Sequence, residues 1–495
     1  MTPFHCSHCS APLVASVCLS AGYGSEAISY ALSLLSLPAF RGNFTLHLVQ
    51  HGDSWNPQAM EAMAEALIDK FLYPHIDTAP RIPRLAERER AIVICHSEPG
   101  AWSPALYESP AMCPPSEDAY ADPRVVTVGR TMFETDRLPD GWAHRLDRMD
   151  EVWVPTGWTA EQFVDGGVQR AKIRVLPEAV DTSFWDASLV TDEDTQDVTT
   201  LIQRARKVQD KRPARRLAAQ RLHPCKRPFL AVGKWEPRKA YDVLIPAFIA
   251  AFSDRPSPAD LCLVVLTSAY HTDDAVPLEH TDSFYSGLHR RDDHHGGNGS
   301  LPSVVLLGRV SDDQLRALYA NSIALVHISR GEGWGRPAVE ALSTGRPLVT
   351  HFYGPPAVYL RHDFALEVKL RGLTAVTEGA FKGHRWAEVD VGSLQEQLKA
   401  MLHLYESDHD SYTRMAAAGR AAMVDNYSLA QIGSVLLGML DELRIAGATR
   451  VNWGGGEGEG GGVCIAADSS NWGDDGGTCR ADDMMTWGTP SGRST

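Results

Sequence analysis

The chain has 495 residues, of which 44% are apolar and 22% charged, and its net charge is −15. One hydrophobic core rarely serves so long a chain, so we expect two large globular domains. The acidic balance argues against a nucleic-acid-binding protein and against simple electrostatic docking on anionic lipid. The sequence has no run of 18 or more apolar residues, so it predicts no transmembrane segment.

The nine cysteines are scattered along the chain and do not suggest a disulfide framework. This scattered distribution of cysteines favours a reducing compartment, so we expect a cytoplasmic protein. Cys6 and Cys9 form a single C-x2-C pair, and no second ligand pair follows at a spacing that zinc requires. The two D-x-D spacings, at 192–194 and 408–410, lie in polar stretches without a strand end. We therefore predict no metal site.

The first half alternates apolar strands with helical patterns. Residues 12–19 predict a strand, Gly22 and Gly24 predict a turn, and Ser25 is a suitable N-cap for the helix that follows. Further strands are predicted at 44–49 and 91–95, separated by a helix at 58–72. Two glycines without a third are weak evidence for a phosphate-binding loop, and a tight turn explains them equally well.

Polar residues follow two later strands of this half. His96 and Glu98 come after the strand at 91–95, and Arg130, Glu134 and Asp136 come after a strand at 125–128. Open α/β sheets bind ligands at the carboxyl ends of their strands. A structural histidine and a surface ion-pair cluster explain the same residues, so both interpretations stay open.

A basic segment at 187–226 separates the two halves, and we interpret it as a linker or insertion with a solvated face. The strand at 229–233 then leads to Lys234, Arg238 and Lys239 before a helix begins. Cations at a strand-to-helix turn suit a diphosphate. Surface cations on a loop are the alternative.

Residues 261–268 and 304–310 predict strands, and the polar residues 271–303 between them predict a mobile loop. Ser311 and Gln314 have capping-box spacing, and a strand at 323–329 follows their helix. A glycine loop at 331–335 leads into a helix that carries Pro337 in its first turn. Glu332 lies on this loop, and Glu340 lies eight residues further on, so free amides and two carboxylates surround a place for a phosphate and a sugar.

The stretch EGWGRPAVE followed by ALSTGRPLVT resembles the signature of the retaining glycosyltransferases of the GT-B fold, the family 4 or "glycosyl transferases group 1" type. The resemblance covers about 11–185 and 226–446. It implies two Rossmann-like, doubly wound α/β domains that face a cleft. It also implies transfer of a hexose from a GDP-, UDP- or ADP-sugar to the hydroxyl of a carbohydrate or other acceptor, with no further cofactor required.

The same resemblance implies roles for particular residues. Glu332 contacts the donor sugar and His96 faces it, so we predict both as catalytic residues. The predicted donor-binding residues are Lys234, Arg238, Lys239, Gly333, Trp334, Gly335 and Glu340. Lys234 stands where the family has an arginine, which removes a bidentate contact to phosphate. The predicted acceptor-side residues are Gly22, Gly24, Arg130 and Glu134.

We expect an acceptor-side domain at 1–186, the linker at 187–226 and a nucleotide-sugar-binding domain at 227–427. Residues 383–402 predict the start of a terminal helical region. A helix at 428–446 would cross back to the first domain, and the glycine-rich residues 447–495 would be disordered. The alternative function is a catalytically inactive nucleotide-sugar-binding or scaffold protein on the same fold. A GT-B phosphorylase would need a pyridoxal lysine, for which the sequence offers no clear candidate.

Overall fold

The computed structural model describes residues 11–17, 22–50, 85, 90–106, 113, 122–213, 225–253, 261–269, 273, 275–292, 302–379 and 381–446. The predicted helix at 58–72, the C-x2-C pair and the glycine-rich end of the chain lie outside these residues. The first half contains β1 (Ala11–Val17), α1 (Gly22–Ser36), α2 (Pro38–Asn43), β2 (Phe44–Gln50), β3 (Ala91–His96), β4 (Val125–Arg130), α3 (Trp142–Asp147), β5 (Glu151–Val154), α4 (Gly157–Asp165) and β6 (Ile173–Val175).

These six strands form one parallel sheet in the order β2-β1-β3-β4-β5-β6. All six residues of β3 are buried, as expected for a central parallel strand that is covered on both faces. Because the strands are parallel, β3 and β4 end at the same edge of the sheet. The polar residues His96 and Arg130 are the last residues of these two strands.

The second half begins with a helix and then alternates strands with helices. It contains α5 (Asp192–Gln209), β7 (Arg227–Val232), α6 (Tyr241–Phe252), β8 (Leu261–Leu266), α7 (Val276–Asp292), β9 (Ser303–Leu307), α8 (Asp312–Ala320), β10 (Leu325–His327), α9 (Arg336–Ser343), β11 (Leu348–Thr350), β12 (Ala365–Glu367), β13 (Leu370–Ala375), β14 (Arg385–Val389), α10 (Val391–Ser407), α11 (His409–Tyr427) and α12 (Leu429–Ala446).

A second parallel sheet has the strand order β12-β11-β10-β7-β8-β9. Helices cover both of its faces, and two large apolar clusters lie against it, one around Phe248 and Leu263 and the other around Leu318 and Val339. The predicted fold class, two doubly wound α/β sheets, is therefore confirmed.

Helix α12 returns to the first half, and α5 is fixed to the second. In α12, Ile432, Leu436 and Leu440 are buried in the apolar cluster of the first sheet, together with residues of α1. In α5, which belongs to the predicted linker, the Gln209 side chain donates to the Leu306 carbonyl at 2.7 Å and accepts from the Leu306 amide at 3.1 Å. The amide of Gln209 thus fixes this helix to β9.

The expectation of a mobile loop at 271–303 is wrong for residues 276–292, which form α7. Its buried face includes Thr281 and Tyr285, and the Tyr285 hydroxyl donates to the Pro302 carbonyl at 3.3 Å. Because these buried residues have polar groups, the sequence lacks the apolar i, i+4 pattern that predicts an amphipathic helix.

The sequence also placed residues 383–402 in a terminal helical region, and this is wrong for its first part. β13 and β14 pair as an antiparallel hairpin before α10 begins at Val391. A third difference concerns α1, which begins at Gly22, so that Ser25 lies inside the helix instead of capping it. Glycine is tolerated there because first-turn amides need no helical partner.

Four of the nine cysteines form two disulfides, Cys95–Cys113 and Cys225–Cys262. The expectation that the cysteines are unpaired is therefore wrong for these four. Disulfides persist mainly in oxidising compartments, so the cysteine count no longer supports a reducing one. None of the helices that the structure describes is long and apolar enough to cross a membrane.

Candidate functional site

Two loops meet at the carboxyl ends of neighbouring strands β7 and β10. The loop after β7 contains a short 3-10 helix, Pro237–Lys239, and the loop after β10 contains Glu332. The Arg330 amide and the Ser329 hydroxyl both donate to the Arg238 carbonyl, at 2.7 and 3.2 Å. These bonds hold the predicted cation loop against the predicted glycine loop, at the edge where open α/β sheets bind ligands.

The Glu332 carboxylate lies between two cations. Lys239 Nζ donates to Oε1, and Arg238 donates to Oε2 at 3.2 Å and to the Gly331 carbonyl at 2.8 Å. Burial alone would raise the pKa of Glu332, but the charges of Lys239 and Arg238 hold that pKa well below its usual range. In the ligand-free chain Glu332 is therefore an anion, and its two neighbouring cations are paired with it.

Arg330 holds the loop of this cluster in place. The sequence did not predict this residue. Arg330 makes two 2.9 Å bonds to the carboxylate of Asp242 on α6 and a 3.0 Å bond to Glu388 on β14. The Ala387 amide also donates to the Arg330 carbonyl at 2.8 Å. An arginine directly before the glycine loop could have indicated this role, but nothing in the sequence identifies its distant partners.

The glycine loop packs directly on the first half of the chain. A Cβ atom on Gly331 would overlap the Glu134 carbonyl oxygen, and one on Gly333 would overlap the sulfur of Met132. Gly331 therefore requires glycine because another backbone approaches it closely, whereas at Gly333 the Met132 side chain would have to shift. The segment after β4, which carries the predicted acceptor-side residue Glu134, thus contacts the predicted donor loop.

Glu134 adds a further carboxylate near Arg238, whose guanidinium also contacts Glu236. The nitrogen-to-oxygen distances are 3.8 Å to Glu134 and 2.6 Å to Glu236. Burial raises the pKa of Glu134, and Arg238 opposes that shift. Arg238 therefore faces three carboxylates, those of Glu134, Glu236 and Glu332, and they keep it charged.

The hairpin of β13 and β14 contacts the segment after β4 in the first half. Thr135 Oγ1 lies 2.7 Å from His384 Nδ1, and the Arg385 amide donates to Asp136 Oδ1 at 2.6 Å. The rings of Phe133 and Phe381 have centroids 4.7 Å apart. These contacts join the two halves on one side of the cluster that contains Glu332.

Helix α9 begins after Gly335, which has a φ of +90°. Glu340 is buried within this helix; the Tyr319 hydroxyl donates to it at 3.1 Å, and Arg336 lies 3.7 Å away. Burial raises the pKa of Glu340 to about 7, against the effect of Arg336. Arg336 also reaches the first half, where its guanidinium lies 3.3 Å from Glu178 and 3.3 Å from the Ser29 hydroxyl.

The remaining predicted donor residues have different surroundings. Trp334 is almost fully buried, and the Tyr359 hydroxyl donates to its carbonyl at 2.8 Å. Lys234 is half-buried directly after β7. The structure thus brings Arg238, Lys239, Gly333, Gly335 and Glu332 together, whereas the Trp334 side chain belongs to the apolar core.

A second charged cluster lies at the edge of the first sheet. His96 Nε2 is 2.8 Å from Glu26 Oε2, and Arg130 donates to Glu26 Oε1 through Nε at 2.7 Å and also through a second nitrogen. Burial would raise the pKa of Glu26, but Arg130 and His96 lower it to about 2. Glu26 was missed by the sequence reasoning, although it is the one acidic residue in α1.

The predicted residues of the first half are therefore placed as follows. His96 and Arg130 are bonded to Glu26, and all three side chains are almost completely buried. Gly22 and Gly24 lie in the first turn of α1, on either side of Tyr23, whose hydroxyl donates to the Met132 carbonyl at 2.9 Å. The catalytic role of His96 and the acceptor-side role of Arg130 stay predictions.

One aspartate of each D-x-D spacing takes part in capping the start of a helix. Asp194 forms a capping box with Thr191 at the start of α5, and Asp408 caps α11 through the Ser411 amide. Within the described ranges, no three His, Cys, Asp or Glu side chains are grouped so that they could hold a metal ion.

Comparison with known proteins defines the class. Residues 226–369 match the model of the family described as glycosyl transferases group 1. No curated protein matches the chain in a sequence search. Among solved structures, HepE from Anabaena in complex with UDP and glucose has a TM-score of 0.53 and 13% identity, covering 88% of this chain and 100% of that one.

Two other solved structures have the same architecture. A glycosyltransferase from Rickettsia africae has a TM-score of 0.55 and 11% identity, with 88% of this chain and 99% of that one covered. Sucrose-phosphate synthase from Thermosynechococcus elongatus has a TM-score of 0.50 and 12% identity, with 88% and 100% covered.

The fold is that of the GT-B glycosyltransferases, with two Rossmann-like sheets. The matched range contains Glu332, Glu340 and the cations of the loop after β7. These are the residues on which the predicted resemblance rests. The resemblance to the glycosyl transferases group 1 is confirmed for residues 226–369, which supports a glycosyltransferase enzyme. Retention and the family 4 assignment stay predictions.

Proposed function

We propose that this enzyme transfers a hexosyl unit from a nucleoside diphosphate sugar to an acceptor hydroxyl, with retention of configuration at the anomeric carbon. The observation that carries the proposal is the Glu332 carboxylate held by Lys239 and Arg238 at the carboxyl ends of β7 and β10. This site combines an anion that can accept hydrogen bonds from sugar hydroxyls with cations that can bind a diphosphate.

Arrival of the donor would exchange partners within this cluster. A diphosphate carries more negative charge than one carboxylate and offers more acceptor oxygens, so it competes with Glu332 for Lys239 and Arg238. Glu332 is then available to the hydroxyls of the hexose. The start of α9 at Gly335, whose first amides lack helical partners, adds further donors for the phosphates.

The reaction forms a bond between the acceptor oxygen and the anomeric carbon and breaks the bond from that carbon to the diphosphate oxygen. Lys239, Arg238 and the start of α9 stabilise the negative charge that develops on the leaving diphosphate. We propose that the leaving phosphate oxygen takes the acceptor proton on the same face of the sugar. No separate carboxylate base is then required.

Glu340 is proposed as the residue that accepts from the ribose hydroxyls of the nucleotide. Its buried carboxylate already has one donor, the Tyr319 hydroxyl. A ribose hydroxyl would supply another donor and stabilise the ionised form. Uridine is the first base to test, because the Anabaena protein HepE was solved with UDP and glucose.

The acceptor would enter from the side of Glu134, where the segment after β4 meets the glycine loop. The proposal relies on Glu332 more than on His96, because His96 is buried and bonded to Glu26. An acceptor-side domain at 1–186 and a donor domain at 227–427 fit this division. The cytoplasmic location stays a prediction.

A thermal-shift screen with UDP, GDP and ADP, followed by turnover of their hexose conjugates, tests the function. Ligand at a hundred times its Kd adds about 2.7 kcal/mol to stability, which is a shift of several degrees. We expect one nucleotide to stabilise the protein and its sugar conjugate to be consumed. Nuclear magnetic resonance of the product then reports the anomeric configuration. Binding without turnover over a broad acceptor screen would favour the inactive binding protein, and an inverted product would contradict retention.

A further inference from the structure

His327 is a buried residue beside the donor cluster for which the proposed function has no role. It is the last residue of β10, and its Nε2 atom is buried with no hydrogen-bond partner among the residues that the structure describes. The nearest charged oxygen is Glu332 Oε1, at 3.5 Å. A buried polar atom without a partner is costly, so its position requires an explanation.

The surroundings of the ring show which way Nε2 faces. A Cβ atom on Gly335 would lie 3.3 Å from His327 Nε2 and 2.9 Å from the Tyr359 hydroxyl. The nitrogen thus faces both Glu332 and the backbone at the start of α9. These are the two groups between which the proposed donor would lie.

The charged and titratable groups around His327 are Glu332, Lys239, Arg238 and His351. His351 is already engaged, because its Nε2 lies 2.7 Å from the Ser329 carbonyl. Burial lowers the pKa of His327 to about 4, and Glu332 opposes that shift. At neutral pH the imidazole is therefore uncharged and can carry its single proton on Nε2.

We propose that His327 is a positioning residue for Glu332, donating from Nε2 to Oε1 when Lys239 and Arg238 turn to the diphosphate of the donor. The inference rests on the proposed function. Without ligand, two cations hold Glu332, and His327 Nε2 lies 3.5 Å from Oε1 without a hydrogen bond to it. Once the cations bind phosphate, His327 holds the carboxylate against the sugar, and it does so without adding a charge.

The test compares His327→Gln with His327→Asn. A glutamine amide nitrogen can take the place of Nε2, whereas that of asparagine is too short to reach Oε1, so the two variants differ by one methylene. His351→Gln is the control, because it keeps a donor for the Ser329 carbonyl and its side chain does not donate to Glu332. UDP affinity and the kcat and KM for release of UDP from UDP-glucose, with water as acceptor, are measured for each. If the thermal-shift screen selects GDP or ADP, then GDP-mannose or ADP-glucose replaces UDP-glucose.

We expect His327→Asn to bind UDP within about threefold of the unchanged protein and to lose roughly 10- to 100-fold in kcat, the range for one hydrogen bond to a charged group. His327→Gln should recover most of that loss. Equal rates in the asparagine, glutamine and unchanged proteins would overturn the inference and leave the proposed function intact. Equal losses of kcat in both variants would also overturn it, because replacing a purely structural histidine would lower kcat whichever amide is introduced. Failure of the unchanged protein to bind any of the nucleotides would overturn the proposed function, and the inference with it.

Discussion

The two charged clusters of this enzyme are built alike but differ in access to solvent. In each, a carboxylate at the carboxyl edge of a parallel sheet is held by an arginine and a second basic residue. The side chains of Glu26, Arg130 and His96 are 0%, 1% and 3% exposed, whereas those of Glu332, Lys239 and Arg238 are 11%, 11% and 20% exposed. The first cluster is closed to solvent, while the second is partly exposed, and we propose that it can exchange its partners.

We propose that this difference separates a charge cluster that stabilises the fold from one that binds a ligand. Breaking a fully buried ion pair leaves an unpaired charge in a medium of low dielectric constant. Breaking the accessible pair allows water or an anion to replace the lost partner. The predictions below test whether the two clusters differ in this way.

The largest effect is expected from Arg130→Met. It leaves the carboxylate of Glu26 with only His96, and removal of one member of a buried pair typically costs about 3–5 kcal/mol. The free energy of unfolding in guanidinium chloride measures this cost. Arg124→Met is the control, since Arg124 pairs with Asp122 at the surface, and it should leave stability nearly unchanged. Similar stability in both variants would contradict the structural role of the closed cluster.

Lys239→Met should have the next largest effect, on ligand affinity. It removes a charge-assisted bond to the diphosphate, so we expect nucleotide affinity to fall by roughly 10- to 100-fold. Isothermal titration calorimetry with the nucleotide selected in the thermal-shift screen measures this change, and exposed Lys399→Met is the control. An unchanged affinity would remove Lys239 from the proposed phosphate site.

Gly331→Ala tests the contact between the two halves. The added methyl group would overlap the Glu134 carbonyl, so the glycine loop and the segment after β4 must separate. Overpacking of this kind typically costs about 1–3 kcal/mol, and we expect turnover to fall by about tenfold or more while nucleotide binding persists. Gly308→Ala is the matched control, because a Cβ at that glycine meets no atom of the described part of the chain within 4 Å. Equal turnover in both variants would show that this contact is dispensable.

The effect expected from Glu340→Gln depends on pH. The folded-state pKa of Glu340 is raised from 4.5 to about 7, so its protonated form stabilises the fold below pH 4.5, and that stability is lost as pH rises through 7. Glutamine does not ionise, so the stability of the variant relative to the unchanged protein should rise between pH 5 and 8, by roughly 2–3 kcal/mol. Thermal unfolding across this range measures the gain, with exposed Glu367→Gln as control. A difference that is constant with pH would contradict the raised pKa.

Much of the fold follows from local patterns in the sequence. The capping box of Ser311 and Gln314 and the apolar run after it predict α8 and β10 because their determinants are adjacent in the chain. The same holds for Pro337 at the start of α9. Helix α7 was missed because its buried face uses Thr281 and Tyr285 instead of aliphatic residues.

The candidate site could be predicted only where its residues are close in sequence. Glu332, Lys239 and Arg238 are carried by two recognisable loops. Glu26 and Arg330 were missed because their partners lie at long sequence distances and only folding brings them together. The contact of Gly331 with Glu134 likewise depends on how the two halves meet, which no local pattern determines.

The central claim is that Glu332 acts in turnover while the cations beside it bind the nucleotide. The most direct measurement compares Glu332→Gln with Glu367→Gln in two assays, nucleotide affinity and turnover of the matching sugar conjugate. We predict that Glu332→Gln keeps nucleotide affinity within about threefold and loses roughly 100-fold in kcat, while Glu367→Gln changes neither. Unchanged turnover in Glu332→Gln would contradict the account.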